Sequence, residues 1–168
     1  MRAEATFERA ARRAAARVRP LTFADGKRVA EIERKAFLDP WPRYALETEI
    51  ENPQARALGI ETNGKLVGYV ICWVVLDQAH IGKIAVLPEF RRQGLGDRLL
   101  RHLLEALNQQ GVREIHLEVR RSSQAAQNLY KKHGFVVTGV RKNYYSKQRE
   151  DALVMSLLLK EGIRYGLV

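Results

Sequence analysis

The sequence predicts a mixed α/β domain in which a central sheet of about six to seven strands is flanked by helices. Three observations predict this fold. Apolar runs of strand length alternate with amphipathic stretches of helical period. Asn63-Gly64 separates two apolar runs, which is typical of a hairpin. A basic, glycine-bearing turn at residues 91–96 lies between a strand and a leucine-striped helix. The 168 residues fit a single domain.

The first half of the chain is expected to contain a strand, two helices and the hairpin. An amphipathic helix follows Asp25. The Asp39-Pro40-Trp41-Pro42 segment ends it, because proline disfavours the helical backbone at and before its position. A second short helix ends at Asn52-Pro53. The expected strands of this half span residues 18–21, 58–62 and 66–76.

The second half is expected to alternate strands with two further helices. A stripe of leucines marks the first helix, and Gly111 ends it. The second carries Tyr130, has Ser122 or Ser123 as its N-cap and ends at Gly134. Residues 114–120 alternate between apolar and polar, which predicts a strand with one core face. The expected strands of this half span residues 81–87, 114–120, 135–140 and 151–159.

The composition favours an anionic ligand or partner. Lysine and arginine number 29 and aspartate and glutamate 19, so the net charge is +10. This balance suits nucleic acid, a phosphorylated cofactor or an acidic surface, and does not choose among them. Cys72 is the single cysteine, so an intramolecular disulfide is excluded and a cytoplasmic location is expected. No apolar run approaches the roughly 18 residues of a membrane span, so no membrane partner is expected.

Residues 1–17 are interpreted as a basic N-terminal extension, and residues 18–168 as the compact domain. The first 19 residues hold six arginines against two glutamates and lack the apolar core of a secretory signal. A frayed basic helix or tail is favoured for this segment, and a transit peptide is the alternative.

The turn at residues 91–96 has the character of a phosphate site. Backbone N–H groups at a helix N-terminus are unpaired and attract anions. Gly94 and Gly96 let a ligand approach the backbone closely, and Arg91 and Arg92 add positive charge. The third glycine of the dinucleotide fingerprint and the Gly-Lys-Ser/Thr of the P-loop are both missing. The alternative is a basic turn that uses glycine for its geometry alone.

Several segments in order resemble the core of the GNAT acetyltransferases. They are Ile84-Ala85-Val86, Arg91-Arg92-Gln93-Gly94-Leu95-Gly96, Leu117-Glu118-Val119-Arg120 and Leu129-Tyr130-Lys131-Lys132-His133-Gly134-Phe135. Two further segments, Pro40-Trp41 and Asn143-Tyr144-Tyr145 with the following Arg149-Glu150-Asp151-Ala152, are most similar to the bacterial ribosomal-protein-alanine N-acetyltransferases. The likeness covers roughly residues 18–159. It implies the GNAT fold and a protein N-terminus as acceptor, such as the N-terminal alanine of ribosomal protein S18.

The resemblance also implies acetyl-CoA as co-substrate, with no metal. The backbone of Ile84, Ala85 and Val86 would hold the pantetheine and acetyl group. The pyrophosphate would be wrapped by a further set of residues: Arg91, Arg92, Gln93, Gly94, Leu95, Gly96 and Asp97. Ser123 stands where the family usually has asparagine, so its contact with the cofactor would be a hydroxyl in place of an amide. The histidines and the cysteine show no paired zinc spacing.

Acetyl transfer to an amine needs a proton acceptor and a proton donor. A free α-amine has a pKa of about 8, and roughly 10% of it is neutral at pH 7, against roughly 0.04% of a lysine amine with a pKa of about 10.4. A modest base is therefore enough for an N-terminal amine. Glu118, on the polar face of its strand, matches the family's proton acceptor. Tyr130 matches the proton donor, since a phenol remains protonated at pH 7. The backbone N–H of Val86 is a candidate oxyanion donor.

Each of these residues also has a plain structural interpretation. A glutamate on a polar strand face is usually solvated or paired with a cation, and a tyrosine at helical spacing usually lies at the edge of the core. His116 lies two residues from Glu118 on the same face. A proton relay and a surface histidine are both open for it, the second being favoured.

Four aromatic residues are candidates for the acceptor groove: Trp41, Tyr44, Tyr144 and Tyr145. They are expected in segments rich in helix-breaking residues, where they either line a peptide groove or cover the core. Asp39 is a candidate partner for a substrate ammonium group. Cys72 is expected in the core.

Three functions remain open at this point. The first is a protein N-terminal acetyltransferase that uses acetyl-CoA. The second is a GNAT enzyme for a small amine, such as a polyamine or an aminoglycoside. The third is a non-catalytic module that binds ribosomal RNA. The presence of both Glu118 and Tyr130 disfavours the third, so direct nucleic-acid binding is not expected.

Overall fold

A seven-stranded mixed sheet forms the centre of the computed structural model, which describes residues 16–160. The strands are β1 Arg17–Pro20, β2 Ala55–Thr62, β3 Lys65–Val75, β4 Gln78–Val86, β5 Glu114–Arg120, β6 Val136–Tyr145 and β7 Glu150–Leu158. Their order across the sheet is β1-β2-β3-β4-β5-β7-β6. The α-helices are α1 Gly26–Ala36, α2 Arg43–Glu51, α3 Leu95–Gln109 and α4 Gln124–Lys132. The predicted fold class is therefore confirmed.

The hairpin and the leucine stripe form as their local sequences dictate. Asn63 and Gly64 both adopt positive φ, 51° and 71°, as a tight two-residue turn requires. Gly111, with φ of 86°, follows the end of α3. The stripe of α3 is fully buried in the core at Leu99, Leu100, Leu103, Leu104 and Leu107.

The helices cover both faces of the sheet. Neighbouring residues of a strand point to opposite faces, so Ala85 and Val86 of β4 mark the two sides. Tyr69 pairs with Ala85 and contacts Glu33 of α1, which places α1 on the first face. A Cβ on Gly96 of α3 would lie 3.8 Å from Val86, which places α3 on the second face.

Strands β4 and β5 are parallel neighbours that pair only over their first halves. Their register runs from Gln78↔Glu114 to Ile81↔Leu117. The other described strand pairs are antiparallel. Beyond Ile81, β4 continues to Val86 paired with β3 alone, and β5 continues to Arg120 paired with β7 alone. The two strands thus border a cleft into which backbone groups are directed.

Strand β6 is longer than the sequence predicts, since it runs to Tyr145 and not to residue 140. The register of β6 against β7 shifts between Arg141 and Tyr145, where Asn143 has φ of 51°. Asp151 of β7 accepts hydrogen bonds from the Asn143 backbone N–H (2.9 Å) and from Lys142 Nζ (3.1 Å). The Asp151 side chain therefore replaces the backbone hydrogen bonds that β6 and β7 lose at the irregularity, and β6 continues through it.

Three smaller expectations concern the N-cap of α4, the N-terminal extension and membrane spans. Ser123 is the N-cap of α4, but its side chain makes no capping hydrogen bond. Residues 1–15 of the expected N-terminal extension lie outside the described residues, as do residues 161–168. Among the helices that are described, none is long and apolar enough to cross a membrane.

Candidate active site

The edge of β4 that faces the cleft presents backbone groups of Ile84 and Val86. The N–H of Leu87 bonds to the carbonyl of Val67 on the β3 side. Because successive residues of a strand direct their N–H and C=O groups to opposite edges, those of Val86 and Ile84 point towards the cleft. The Val86 carbonyl accepts a hydrogen bond there from Arg91 Nε (3.1 Å). This edge offers an extended ligand the same contacts as another strand.

The cleft continues onto the N-terminus of α3. Gly94 is the N-cap, with φ of 75°, and the first helical bond runs from Arg98 N to the Gly94 carbonyl (3.0 Å). The N–H groups of Leu95, Gly96 and Asp97 precede that bond and have no intrahelical acceptor. A Cβ on Gly96 would meet only ordinary contacts at 3.7 and 3.8 Å, so the turn itself has space. An anion fits this position.

Two side chains of the turn are held in place locally. Gln93 Nε2 donates to the Glu89 carbonyl (3.3 Å), and its Oε1 is buried without a partner in the structure. Asp97 was expected to help wrap a pyrophosphate. Its carboxylate contacts basic side chains of α3 and of the end of α4, which leaves its backbone N–H for the expected anion. Those contacts are Arg101 Nη2 (2.9 Å), Lys132 Nζ (2.7 Å) and His133 Nε2 (2.9 Å).

Tyr130 of α4 is buried, with 5% of its surface exposed. Its ring packs against Phe135 at 5.7 Å between centroids. Burial raises the pKa of Tyr130 well above its usual value, and the neighbouring Tyr145 adds to the shift. Burial also raises the pKa of Tyr145 to about 12. Both phenols therefore hold their protons throughout the neutral range.

Glu118 of β5 points to the face of the sheet that α1 covers and is held by two cationic or polar partners. Its Oε2 lies 2.6 Å from His80 Nε2, and its Oε1 lies 2.7 Å from Arg141 Nη1. Its side chain is 12% exposed. The charge of Glu118 contributes to the raised pKa of Tyr145, and Tyr145 contributes to that of Tyr130. Burial is the larger cause of the raised pKa for both phenols.

His116 does not contact Glu118. Its Nδ1 lies 2.9 Å from Ser156 Oγ, and its Nε2 lies 3.5 Å from Glu114 Oε1. The histidine beside Glu118 is His80, on the neighbouring strand. His80 could not be predicted from the sequence because the parallel register of β4 and β5, which pairs His80 with His116, is not a local property of either segment.

The candidate acceptor aromatics lie on three different elements. Trp41 lies in the loop between α1 and α2, 6.0 Å from the Trp73 ring. Tyr44 belongs to α2, not to a loop, and is 73% exposed. Tyr144 and Tyr145 belong to β6, where their rings meet edge to face at 5.2 Å. The expectation that these aromatic residues lie in loops is therefore wrong for the three tyrosines.

Asp39 already has a cationic partner within the chain. Lys147 Nζ, in the turn between β6 and β7, lies 2.5 Å from Asp39 Oδ1. This hydrogen bond lowers the pKa of Asp39. The pair joins the α1–α2 loop to the β6–β7 turn. A substrate ammonium at Asp39 would share this carboxylate with Lys147 or compete with it.

The buried carboxylate of Glu33 anchors the α1–α2 loop to α1. Glu33 of α1 is 0% exposed and accepts hydrogen bonds from the Tyr69 hydroxyl, Lys83 Nζ (2.8 Å) and the Trp41 backbone N–H (2.9 Å). The Lys83 ammonium also lies 4.1 Å from the centroid of the Phe37 ring. Glu33 is not among the residues predicted from the sequence. The available signal was a carboxylate on the apolar stripe of α1.

Replacing Gly82 with alanine is expected to displace the Trp73 indole. A Cβ at this position of β4 would lie 2.3 Å from two carbons of that ring. Overpacking of this kind typically costs about 1–3 kcal/mol. We expect a lower Tm and an altered tryptophan near-UV signal. Gly139→Ala is the matched control, since its Cβ would meet Val154 at 3.8 Å. An unchanged Tm and spectrum for Gly82→Ala would contradict this packing.

Two further groups bear on the chemistry. Cys72 is fully buried, as expected, and burial raises the pKa of its thiol to about 12, so it is no nucleophile at neutral pH. Within residues 16–160, no group of three His, Cys, Asp or Glu side chains is placed to hold a metal ion.

A family model described as the acetyltransferase (GNAT) family matches residues 26–135. A Bacillus subtilis relative is 44% identical over 147 residues, which cover 87% of this chain and 97% of its own. An Escherichia coli relative, named [ribosomal protein bS18]-alanine N-acetyltransferase, is 42% identical over 130 residues, 75% of this chain and 86% of its own. The crystal structure of the ribosomal-protein-S18-alanine N-acetyltransferase from Escherichia coli superposes with a TM-score of 0.80 and 35% identity. It covers 88% of this chain and 98% of its own.

Proposed function

The chain belongs to the GNAT acetyltransferase family, and on that basis we propose that it transfers the acetyl group of acetyl-CoA to the N-terminal α-amine of a protein. The proposed acceptor is the N-terminal alanine of ribosomal protein bS18, the substrate named for the Escherichia coli relative. The observation that carries the proposal is the cleft between β4 and β5, which opens after the Ile81–Leu117 pair so that Glu118 borders it, with the N-terminus of α3 at one end.

The residues around the cleft suit acetyl-CoA. The cleft-facing N–H and C=O groups of Ile84 and Val86 match an extended amide chain such as pantetheine, and the N–H groups at the start of α3 match a pyrophosphate. The orphaned Gln93 Oε1 is an acceptor for a ligand donor. We assign the co-substrate to Ile84, Ala85, Val86, Arg91, Arg92, Gln93, Gly94, Leu95, Gly96, the backbone of Asp97, and Ser123. When bound, acetyl-CoA supplies an acyl thioester that is open to attack by an amine.

Glu118 is the proposed proton acceptor. An α-ammonium with a pKa of about 8 must lose one proton before its nitrogen can attack. A carboxylate that is 12% exposed and fixed on two sides is suited to receive that proton directly or through a water molecule. The Val86 N–H, on the cleft side of β4, is the proposed donor to the oxygen that gains negative charge.

Tyr130 is the proposed proton donor to the departing thiolate. Its raised pKa keeps the phenol protonated at the pH of the reaction. The aromatic residues Trp41, Tyr44, Tyr144 and Tyr145 are proposed to line the acceptor side. The reaction is placed in the cytoplasm, where ribosomal proteins are made, and no metal is assigned to it.

An acetylation assay on a matched peptide set tests the proposal. We expect rapid thiol release with a peptide that begins with alanine, and mass spectrometry should locate the acetyl group on its α-amine. The same peptide with a blocked N-terminus and an internal lysine should be a poor acceptor, because about 0.04% of a lysine amine is neutral at pH 7.

Two other results would reject the proposal, when small amines are added to the acceptor set and RNA binding is measured separately. Turnover of a polyamine or an aminoglycoside without turnover of any peptide would indicate a small-amine enzyme. Salt-dependent binding of ribosomal RNA without turnover of any amine would indicate a non-catalytic binding module.

A further inference from the structure

His80 occupies a defined place beside the proposed proton acceptor. It lies in β4, in register with Trp73 of β3 on one side and His116 of β5 on the other. Its Nε2 lies 2.6 Å from Glu118 Oε2. With its Nε2–H as donor, the imidazole holds one carboxylate oxygen, a short charge-assisted contact of the kind that is strong in proteins.

The imidazole itself is held in position from below. Its ring stacks on the Trp73 indole, with centroids 5.8 Å apart and planes inclined by 12°. The indole Nε1–H donates to Glu49 Oε2 of α2 at 2.5 Å. Gly82 leaves the space that the indole fills, since a Cβ there would lie 2.3 Å from the ring. Glu49 and Gly82 thus fix the position of the indole on which the His80 ring stacks.

The two side chains of the His80–Glu118 contact differ in their exposure to solvent. The His80 side chain is 39% exposed and that of Glu118 is 12% exposed. The imidazole is therefore the more solvent-accessible member of the pair. Histidine is also the side chain that ordinarily changes its charge between about pH 5 and 8.

We propose that His80 is a positioning residue for Glu118 whose own charge controls how readily that carboxylate accepts a proton. The inference rests on the proposed role of Glu118. A neutral imidazole donates one hydrogen bond and leaves the carboxylate charge available to the acceptor ammonium. An imidazolium neutralises that charge and weakens the carboxylate as a proton acceptor. The proton balance is simple: the ammonium loses one proton to Glu118, which then releases it to solvent.

The other charged groups around His80 are already engaged. On β5, His116 contacts Ser156 and Glu114. From α2, Glu49 binds the Trp73 indole. From β6, Arg141 binds the second oxygen of Glu118, and its positive charge acts on the carboxylate equally at every pH. His80 is the histidine of this group that contacts Glu118, so a change in its charge would act directly on that carboxylate.

His80→Gln separates orientation from charge, because its amide N–H can still donate to Glu118 but never becomes charged. Ionisation of the acceptor amine affects both enzymes alike, so it cancels in the ratio of kcat/KM between variant and wild type. We expect this ratio to rise at least about threefold from pH 8 to pH 6. His102→Gln, on the exposed side of α3, is the matched control and should give a flat ratio.

His80→Ala removes both the donor and the charge. We expect kcat to fall about tenfold with an unchanged KM for acetyl-CoA, and added imidazole to restore part of the loss. A flat His80→Gln ratio, or wild-type kcat in His80→Ala, would overturn the role of His80. Glu118→Gln tells this failure from a failure of the proposed function. If it is inactive while the His80 ratio is flat, only the present inference falls. If it retains full activity, Glu118 is not the proton acceptor and the present inference falls with that role, whereas absence of peptide acetylation by the wild type would reject the proposed function itself.

Discussion

Replacing Tyr130 with phenylalanine is expected to lower kcat by about 100-fold or more, as the loss of a general acid typically does. The reason is that the phenol is the proposed donor to the departing thiolate, and its raised pKa keeps it protonated at every pH at which the enzyme is assayed. Steady-state kinetics with acetyl-CoA and an alanyl peptide measure the effect. A basic limb in the wild-type pH profile would not arise from Tyr130, since its pKa lies well above the usual value for a tyrosine.

The substitution is conservative in packing, which supplies its own control. The phenylalanine ring keeps the contact with Phe135, so Tm and the Kd for acetyl-CoA should stay close to the wild-type values. A kcat within about threefold of the wild type would remove Tyr130 from the chemistry. A fall in kcat together with a large fall in Tm would assign the residue to the core and not to proton transfer.

The elements around the cleft could be predicted because their signals are local. The alternation of Glu114–Arg120 gives β5 with its observed bounds, since apolar residues at every second position define a strand with one buried face. The glycine at position 94 adopts the positive φ that starts α3. The order and spacing of the motifs on these elements were enough to indicate the family, and the anion site at the start of α3 stays a prediction.

The partners of the site residues could not be predicted, because they depend on contacts between distant segments. His80 meets Glu118 across 38 positions through the parallel register of two strands. Glu33 meets Lys83 across 50 positions through the packing of α1 on the sheet. Asp97 illustrates the same limit in reverse, since its place at the start of α3 indicated a ligand contact while its carboxylate binds the end of α4. Single-sequence patterns give the face on which a side chain lies and not its neighbour on the next element.

Replacing Glu33 with glutamine is expected to destabilise the protein by about 3–5 kcal/mol, because it leaves the Lys83 ammonium, whose side chain is 12% exposed, without its carboxylate. For a chain of this size, that corresponds to a fall in Tm of roughly 6–20 °C. Glu31→Gln is the matched control on the same helix. It removes a surface pair with Arg28 and should leave Tm unchanged.

A double variant, Glu33→Gln with Lys83→Met, distinguishes a buried charge from a general packing defect. Removing both charges eliminates the uncompensated ammonium, so the double variant should regain much of the stability that the single variant loses. Chemical denaturation of the wild type, both single variants and the double variant gives the coupling energy. A double variant as unstable as the sum of the two single variants would show that the charges do not interact.

The same network links the stability of the core to the acceptor loop. Glu33 accepts the Trp41 backbone N–H, so its loss should free the loop that carries Trp41 and, two residues earlier, Asp39. We therefore expect Glu33→Ala, which unlike Glu33→Gln leaves no acceptor oxygen for that N–H, to raise the KM of the peptide acceptor severalfold when assayed well below its Tm, while the KM of acetyl-CoA, whose proposed site lies on β4 and α3, stays the same. Equal changes in both KM values would mean that Glu33 supports the whole sheet and does not position the acceptor loop.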